Sequence, residues 1–178
     1  LIWDFSEIKG SKGTKISENL GLMPGAKFFP EAKLNYAENL LRSPDNALAI
    51  EEFREDGFSN ALTRMELKTK ALKMASWMES KGVKKGDRVC AYMTNCSETI
   101  ITMLATSALG AIFSSCSSDF GVEGVIDRFV QIEPKIMIAA NGYLYNGKVI
   151  DRSEEIKTLS KRLPSLEHIV VVEYISSA

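Results

Sequence analysis

The stretch from Lys85 to Phe120 constrains the fold more than any other part of the chain. It reads as a strand from Asp87 to Met93, a helix without charged residues from Thr99 to Leu109, and a second strand that begins near residue 111. A helix that is apolar or small on every side must be covered on more than one side. The stretch therefore predicts a parallel β-α-β unit in the middle of a layered structure.

The segments around this unit repeat the same alternation. Thr63 and Glu66 form a capping-box pattern at the start of an amphipathic helix over about residues 64–81. Asn95 and Asp151 are the residues we expect to cap the helices that follow them. Strands are predicted near residues 87, 111, 135 and 168, each separated by a helix. This pattern indicates an α/β fold with a doubly wound, mostly parallel sheet and flanking helices.

The first third of the chain follows a different pattern. Residues 1–33 are punctuated by Gly and Pro and predict an irregular N-terminal arm, followed by a short helix over 34–42. Two apolar runs on either side of Asp56 and Gly57 predict a small antiparallel hairpin. We therefore divide the chain into residues 1–45, the arm and short helix, and residues 46–178, an α/β unit.

Composition excludes several classes of protein. An apolar share of 45% and a charged share of 25% over 178 residues are typical of one globular domain. A formal net charge of −1 gives no electrostatic reason to expect a nucleic acid or an anionic membrane as partner. The longest apolar run, residues 100–113, is too short and too rich in Thr and Ser to span a bilayer. Three cysteines, without metal-ligand spacing or a leader sequence, favour the reducing cytosol.

The usual catalytic constellations are absent from the sequence. There is no glycine-rich phosphate loop and no nucleophile elbow, and His168 is the one histidine. Cys116 follows a predicted strand, but no histidine lies near it in sequence, so we expect a packed small residue rather than a nucleophile. We therefore assign no catalytic residue and no metal ligand to this chain.

Two polar segments remain as candidate ligand sites. The first runs from Ser114 to Gly121 and precedes a helix, where hydroxyls and backbone amides could meet an anion or nucleotide. The alternative is a plain capping loop in which Ser118 or Asp119 caps that helix. The second runs from Tyr143 to Lys148 as a loop with two aromatic rings and one cation, which could stack a base and neutralise a phosphate. The alternative is an ordinary surface turn.

Several segments together resemble the acyl-CoA synthetases of the adenylate-forming superfamily, in particular the acetoacetyl-CoA synthetase subfamily. The resemblance extends through essentially the whole chain. The residues that carry it are Phe28 to Pro30, Lys33 to Arg42, Gly82 to Val89, Gly110 to Ser115, Asp119 to Val122, Asp127 to Phe129, Gln131 to Lys135 and Tyr145 to Lys148. It implies that residues 46–178 are the first, incomplete α/β subdomain of the large N-terminal domain of such an enzyme.

The resemblance also implies a function and a site. It implies an ATP-dependent ligase that converts acetoacetate to acetoacetyl-CoA through an acyl-adenylate, with ATP, Mg²⁺ and CoA as co-substrates. Carried over by position, Ser114, Ser115 and Lys148 would bind CoA. The parts of the family that bind the ATP phosphates lie beyond this chain, so we expect the chain to be inactive without the remainder of its polypeptide. The alternative is a non-catalytic, flavodoxin-like module that binds a nucleotide or CoA or serves as an interaction domain.

Overall fold

Sixteen helices and strands make up the described part of the protein, residues 2–176 of a computed structural model. In chain order they are α1 (Ile2–Phe5), β1 (Ser17–Glu18), β2 (Lys27–Phe28), α2 (Tyr36–Leu40), β3 (Leu48–Phe53), β4 (Ser59–Thr63), α3 (Arg64–Ser80), β5 (Arg88–Met93), α4 (Ser97–Ala108), β6 (Ile112–Ser117), α5 (Val122–Phe129), β7 (Ile136–Ala140), β8 (Gly142–Tyr145), β9 (Lys148–Asp151), α6 (Ser153–Arg162) and β10 (His168–Val172).

Four parallel strands form the central sheet in the order β10-β7-β5-β6. Its register places Arg88 beside Ile112 in β6 and Val89 beside Ile136 in β7. Within this sheet the chain passes first through β5 and next through its neighbour β6 at one edge. It then returns to the other side of β5, where it forms β7 and β10. The predicted doubly wound, mostly parallel α/β sheet is confirmed.

Helices cover both faces of this sheet. Residues of α3 and α4 meet alternate residues of β5 and β7, including Val89, Ala91 and Ile138, in one core cluster. Residues of α5 and α6 meet the intervening residues, including Tyr92 and Met137, in a second cluster on the other face. Because successive residues of a strand point to opposite faces, strands buried on both sides are mostly apolar, as β7 and residues 89–93 of β5 are.

Helix α4, which carries no charge after Glu98, is covered on more than one side, as predicted. Ala105 faces the sheet, whereas Leu104 belongs to a third cluster with Ala37, Leu41 and Ala71 of the α2 and α3 region. The helix is thus enclosed by the sheet, by α3 and by α2. No helix within residues 2–176 is long and apolar enough to cross a membrane.

The predicted helix caps have different outcomes. The capping box of Thr63 and Glu66 is confirmed, because each side chain accepts a hydrogen bond from the other residue's backbone N–H. The prediction for Asn95 is wrong, because the N-cap of α4 is the next residue, Cys96. The Cys96 side chain makes no cap hydrogen bond. The Asp151 carboxylate accepts a hydrogen bond from the Ser153 N–H at 2.7 Å, although the N-cap position itself is Arg152.

The arm and the hairpins complete the molecule. The arm is irregular apart from α1 and the short β1–β2 pair. It folds on itself where Trp3 is buried beside the ring of Phe29, and it is joined to α2 where the Lys9 N–H donates to the Asn39 side chain at 2.8 Å. The predicted hairpin is present as β3–β4. A second hairpin, β8–β9, contains Tyr143 to Lys148, so the prediction of a loop there is wrong. The division at residues 45 and 46 stays a prediction, and α2 packs on α4 across it.

Candidate functional site

The carboxyl ends of β5 and β6 open into a cavity of about 300 Å³, which the hairpin after β7 also lines. The strand order reverses between β5 and β7, and doubly wound sheets bind ligands at such a reversal, outside the carboxyl ends of the strands. The residues that line the cavity are Thr94 and Asn95, the segment 117–119, two hairpin segments, 53–55 and 143–145, and Tyr174. The central sheet and both hairpins therefore contribute to one candidate ligand site.

Ser114 and Ser115 lie within β6 rather than in the loop predicted for them. Each extends the parallel ladder, with Ser114 beside Cys90 and Ser115 beside Ala91, and the strand continues to Ser117. By strand alternation, Ser114 shares the α5–α6 face with Cys116, whereas Ser115 shares the α3–α4 face with Phe113. The two serines thus point to opposite faces, and within residues 2–176 neither lines the cavity. Their role in CoA binding stays a prediction.

The phenol of the buried residue Tyr92 contacts the loop between β6 and α5. Its hydroxyl lies 2.9 Å from the carbonyl oxygen of Ser118 and 2.8 Å from that of Phe120. Ser118 is buried, and its N–H donates to the carbonyl of Met93 at 3.2 Å. Helix α5 has Gly121 at its N-cap and no side-chain cap, so the alternative in which Ser118 or Asp119 caps the helix is wrong. The loop is fixed by hydrogen bonds to its backbone carbonyls.

The second predicted segment forms the tip of the β8–β9 hairpin. Asn146 and Gly147 have φ values of 50° and 72°, as the two central residues of a type I′ turn require. An Asn-Gly pair between two apolar runs is the strongest short hairpin signal, and it could have revealed β8 and β9 from the sequence. Lys148 is exposed and stands directly opposite Tyr145, so both side chains lie on the same face of the hairpin.

A single arginine supplies positive charge within the cavity wall. The guanidinium carbon of Arg54 lies 4.0 Å from the ring centre of Tyr174, and its Nη2 donates to Asp56 at 2.9 Å. Its Nε is buried and has no hydrogen-bond partner among residues 2–176. Arg54 thus combines cation-π packing with one unsatisfied donor.

A second arginine joins the loop to the hairpin. Arg152 donates from Nε to the Ser118 carbonyl at 2.9 Å and from Nη2 to the Tyr143 hydroxyl at 3.2 Å, and it pairs with Glu155 at 2.5 Å. Sequence reasoning missed Arg54, Arg152 and Tyr92. Their contacts with Tyr174 and with the Ser118 carbonyl join residues that lie far apart along the chain, and no local pattern marks those contacts.

The thiol of Cys116 and the imidazole of His168 lie on different strands of the sheet. Burial raises the pKa of the Cys116 thiol to about 11, which keeps it protonated near neutral pH. His168 lies at the amino end of β10, the opposite end of the sheet from the cavity, where its ring packs edge-on against Trp77. Within residues 2–176 no group of three or more His, Cys, Asp or Glu side chains could hold a metal ion.

Comparisons with known proteins agree over the whole chain. Residues 37–177 match the model of the AMP-binding enzyme family. The chain is 44% identical over 162 residues to the acetoacetyl-coenzyme A synthetase of Rhizobium meliloti, covering 91% of this chain, and 40% identical over 178 residues to the acetoacetyl-CoA synthetase of Xenopus tropicalis, covering 97%. Among solved structures, acetoacetyl-CoA synthetase from Streptomyces lividans superposes with a TM-score of 0.92 at 32% identity over 99% of this chain.

The chain covers only part of the length of each of these relatives. It spans 25% of the Rhizobium protein, 26% of the Xenopus protein and 28% of the Streptomyces chain. The similarity to acetoacetyl-CoA synthetases therefore concerns about a quarter of their length.

Proposed function

The chain belongs to the AMP-binding enzyme family, and from this premise we propose that it is the N-terminal part of an ATP-dependent ligase that converts acetoacetate to acetoacetyl-CoA. The observation that carries the proposal is the agreement of nearly the whole chain, in sequence and in backbone, with acetoacetyl-CoA synthetases. In the proposed reaction, acetoacetate and ATP form an acyl-adenylate and pyrophosphate. The thiol of CoA then displaces AMP to form the thioester.

We propose that the remainder of the polypeptide carries out the adenylation chemistry. The chain spans about a quarter of the length of its relatives, and the segments that the family uses to bind the ATP phosphates are not among residues 1–178. ATP and Mg²⁺ are therefore proposed to be held mainly outside this chain. The three free, buried cysteines support a reducing location, so we place the enzyme in the cytosol.

For this chain we propose a share in CoA binding, through Ser114, Ser115 and Lys148. Lys148 has the strongest support, because it lies on the same face of the hairpin as Tyr145, a residue of the cavity wall. An exposed lysine can neutralise a phosphate without losing much hydration. The site so described would take the nucleotide end of CoA and no part of the acyl group.

The test uses the complete protein that carries this chain. We expect Lys148→Ala to raise the KM for CoA about tenfold, the value of one charge-assisted hydrogen bond, and to leave the KM for ATP nearly unchanged. Lys161→Ala removes an exposed lysine from the last turn of α6 and serves as the matched control. Equal increases in both KM values would contradict the assignment.

One observation favours a second candidate. The strand order β10-β7-β5-β6 places the first strand between the second and the third, as in flavodoxin-like folds, which include simple nucleotide-binding modules. In that case the chain would bind CoA or a nucleotide without catalysis. Formation of acetoacetyl-CoA by the complete protein would exclude this candidate, whereas CoA binding without turnover would favour it.

A further inference from the structure

The tip of the β8–β9 hairpin is held by a carboxylate from another hairpin. Glu55, in the turn between β3 and β4, accepts hydrogen bonds from the backbone N–H groups of Asn146 at 3.3 Å and Gly147 at 3.0 Å. The two donors are the central residues of the type I′ turn, and each is bound by a different oxygen of the carboxylate. Glu55 therefore joins two segments that lie about ninety residues apart in the chain.

The β8–β9 hairpin needs such an attachment. It consists of two strands of four residues each and forms a sheet of its own. Isolated two-stranded hairpins are at best marginally stable in water. Its base is fixed to the central sheet, because Asn141, the residue before β8, donates its N–H to the Val172 carbonyl of β10 at 2.9 Å. The contact with Glu55 fixes the opposite end.

The turn that carries Glu55 is itself held by hydrogen bonds. The Gly57 N–H donates to the Arg54 carbonyl at 3.1 Å, and the Phe58 N–H donates to the Asp56 carboxylate at 3.1 Å. The Arg54 guanidinium, stacked on Tyr174, connects this turn to the end of β10. Glu55 thus lies on a turn that is held by hydrogen bonds, and a support that is itself fixed can define the position of the hairpin tip.

We propose that Glu55 is a positioning residue for CoA binding: it fixes the hairpin tip so that the adjacent Lys148 lies at the edge of the cavity. The inference rests on the proposed function, because it takes CoA as the ligand of Lys148. A carboxylate near an anion site would by its charge alone weaken CoA binding. Glu55 is therefore proposed to act by fixing the position of the hairpin tip. Loss of this position would weaken CoA binding when the charge is removed, whereas loss of charge repulsion would strengthen it.

The test compares Glu55→Ala, Glu55→Gln and the matched control Glu51→Ala in the complete protein. Glu51 is an exposed carboxylate of β3 in the same hairpin. We expect Glu55→Ala to raise the Kd for CoA, measured by calorimetry, about three- to tenfold, the value of one or two exposed hydrogen bonds. Glu55→Gln, which keeps one acceptor, should fall between Glu55→Ala and the wild type. Glu51→Ala should match the wild type.

Hydrogen exchange separates positioning from other causes. The amides of residues 143–149 should exchange faster in Glu55→Ala than in Glu51→Ala, since the tip has lost its acceptor. Tighter CoA binding by Glu55→Gln would overturn the proposal in favour of simple charge repulsion. Unchanged exchange, or an unchanged Kd with faster exchange, would also overturn it.

The same measurements distinguish this inference from the proposed function. A wild-type protein that binds CoA but forms no acetoacetyl-CoA would refute the proposed reaction, and the Kd values would still decide the role of Glu55. A wild-type protein that makes acetoacetyl-CoA, with Glu55 variants of unchanged Kd, would refute only the inference. Failure of the wild type to bind CoA at all would refute both.

Discussion

At the scale of single residues, Tyr92 shows how one buried phenol organises the site. It lies in the core of the α5–α6 face, and its hydroxyl donates to the loop that follows β6. Burial raises its pKa from 10.0 to about 12, because the phenolate would lose its hydration there. The neutral form is thus the one that the fold requires.

We expect Tyr92→Phe to lower the free energy of unfolding by about 1 kcal/mol at pH 7, because one hydrogen bond to the loop is lost. Since the folded pKa is raised, the contribution of Tyr92 is complete below pH 10 and is lost as pH rises through about 12. The stability advantage of the wild type should therefore shrink over this range. Urea unfolding of both proteins at pH 7, 10 and about 11.5 measures it. A gap that stays constant with pH would contradict the account.

The sequence and the structure differ most at this scale. The resemblance implies that Ser114 and Ser115 bind CoA together from one loop, but alternation along β6 sends their side chains to opposite faces. Arg54 and Glu55 gave no local signal, since their partners lie in other hairpins or at the end of β10. Composition and spacing predict which elements form, whereas contacts between distant segments decide which side chains meet.

At the scale of elements, the N-terminus of α4 is capped by another element. The Ser97 N–H, one of the unpaired donors of the first turn, is bound by the buried carboxylate of Glu52 in β3 at 3.1 Å. A negative charge at a helix N-terminus is also favoured by the helix dipole. The β3–β4 hairpin therefore replaces the cap that was predicted for Asn95.

We expect Glu52→Ala to lower the free energy of unfolding by about 1–2 kcal/mol, because the Ser97 N–H loses its acceptor in a buried place. Glu51→Ala, on the exposed side of the same strand, should change it by less than about 0.5 kcal/mol. Guanidinium unfolding of both variants measures the difference. Equal effects of the two substitutions would show that Glu52 does not cap α4.

Periodicity predicts the long elements well and the short ones poorly. Helix α3 is predicted by a long amphipathic pattern together with the capping box of Thr63 and Glu66, and the central strands by their apolar runs between successive helices. The hairpin β8–β9 was missed because strands of four residues carry too few positions to show an alternating pattern. Its one clear signal was the turn chemistry of Asn146 and Gly147.

At the scale of the whole molecule, the position of the cavity follows from the order of the strands. The predicted alternation of strands and helices is confirmed, and the reversal between β5 and β7 leaves the cavity beside the ends of β5 and β6 and the hairpin that follows β7. Alternation alone does not determine that order, because β7 pairs with β5 rather than with the preceding strand β6. The cavity also needs the two hairpins, whose docking depends on long-range contacts.

We expect the separate 178-residue chain to release no pyrophosphate from ATP and acetoacetate above the background rate, since it spans about a quarter of the length of its relatives and lacks the family's phosphate-binding segments. The complete protein, assayed in parallel, should release pyrophosphate and form acetoacetyl-CoA. A coupled pyrophosphate assay measures both. Turnover by the separate chain at a comparable rate would place the adenylation chemistry within these residues.

The outer edge of β10 has a consequence for the behaviour of the separate chain. No strand within residues 2–176 pairs with the free side of His168–Val172, a run rich in β-branched residues. Unpaired backbone N–H and C=O groups along such an edge are a template for another chain. In a longer polypeptide a further strand can take these groups, whereas in a concentrated solution of the separate chain they are the place where copies would join edge to edge and begin to aggregate.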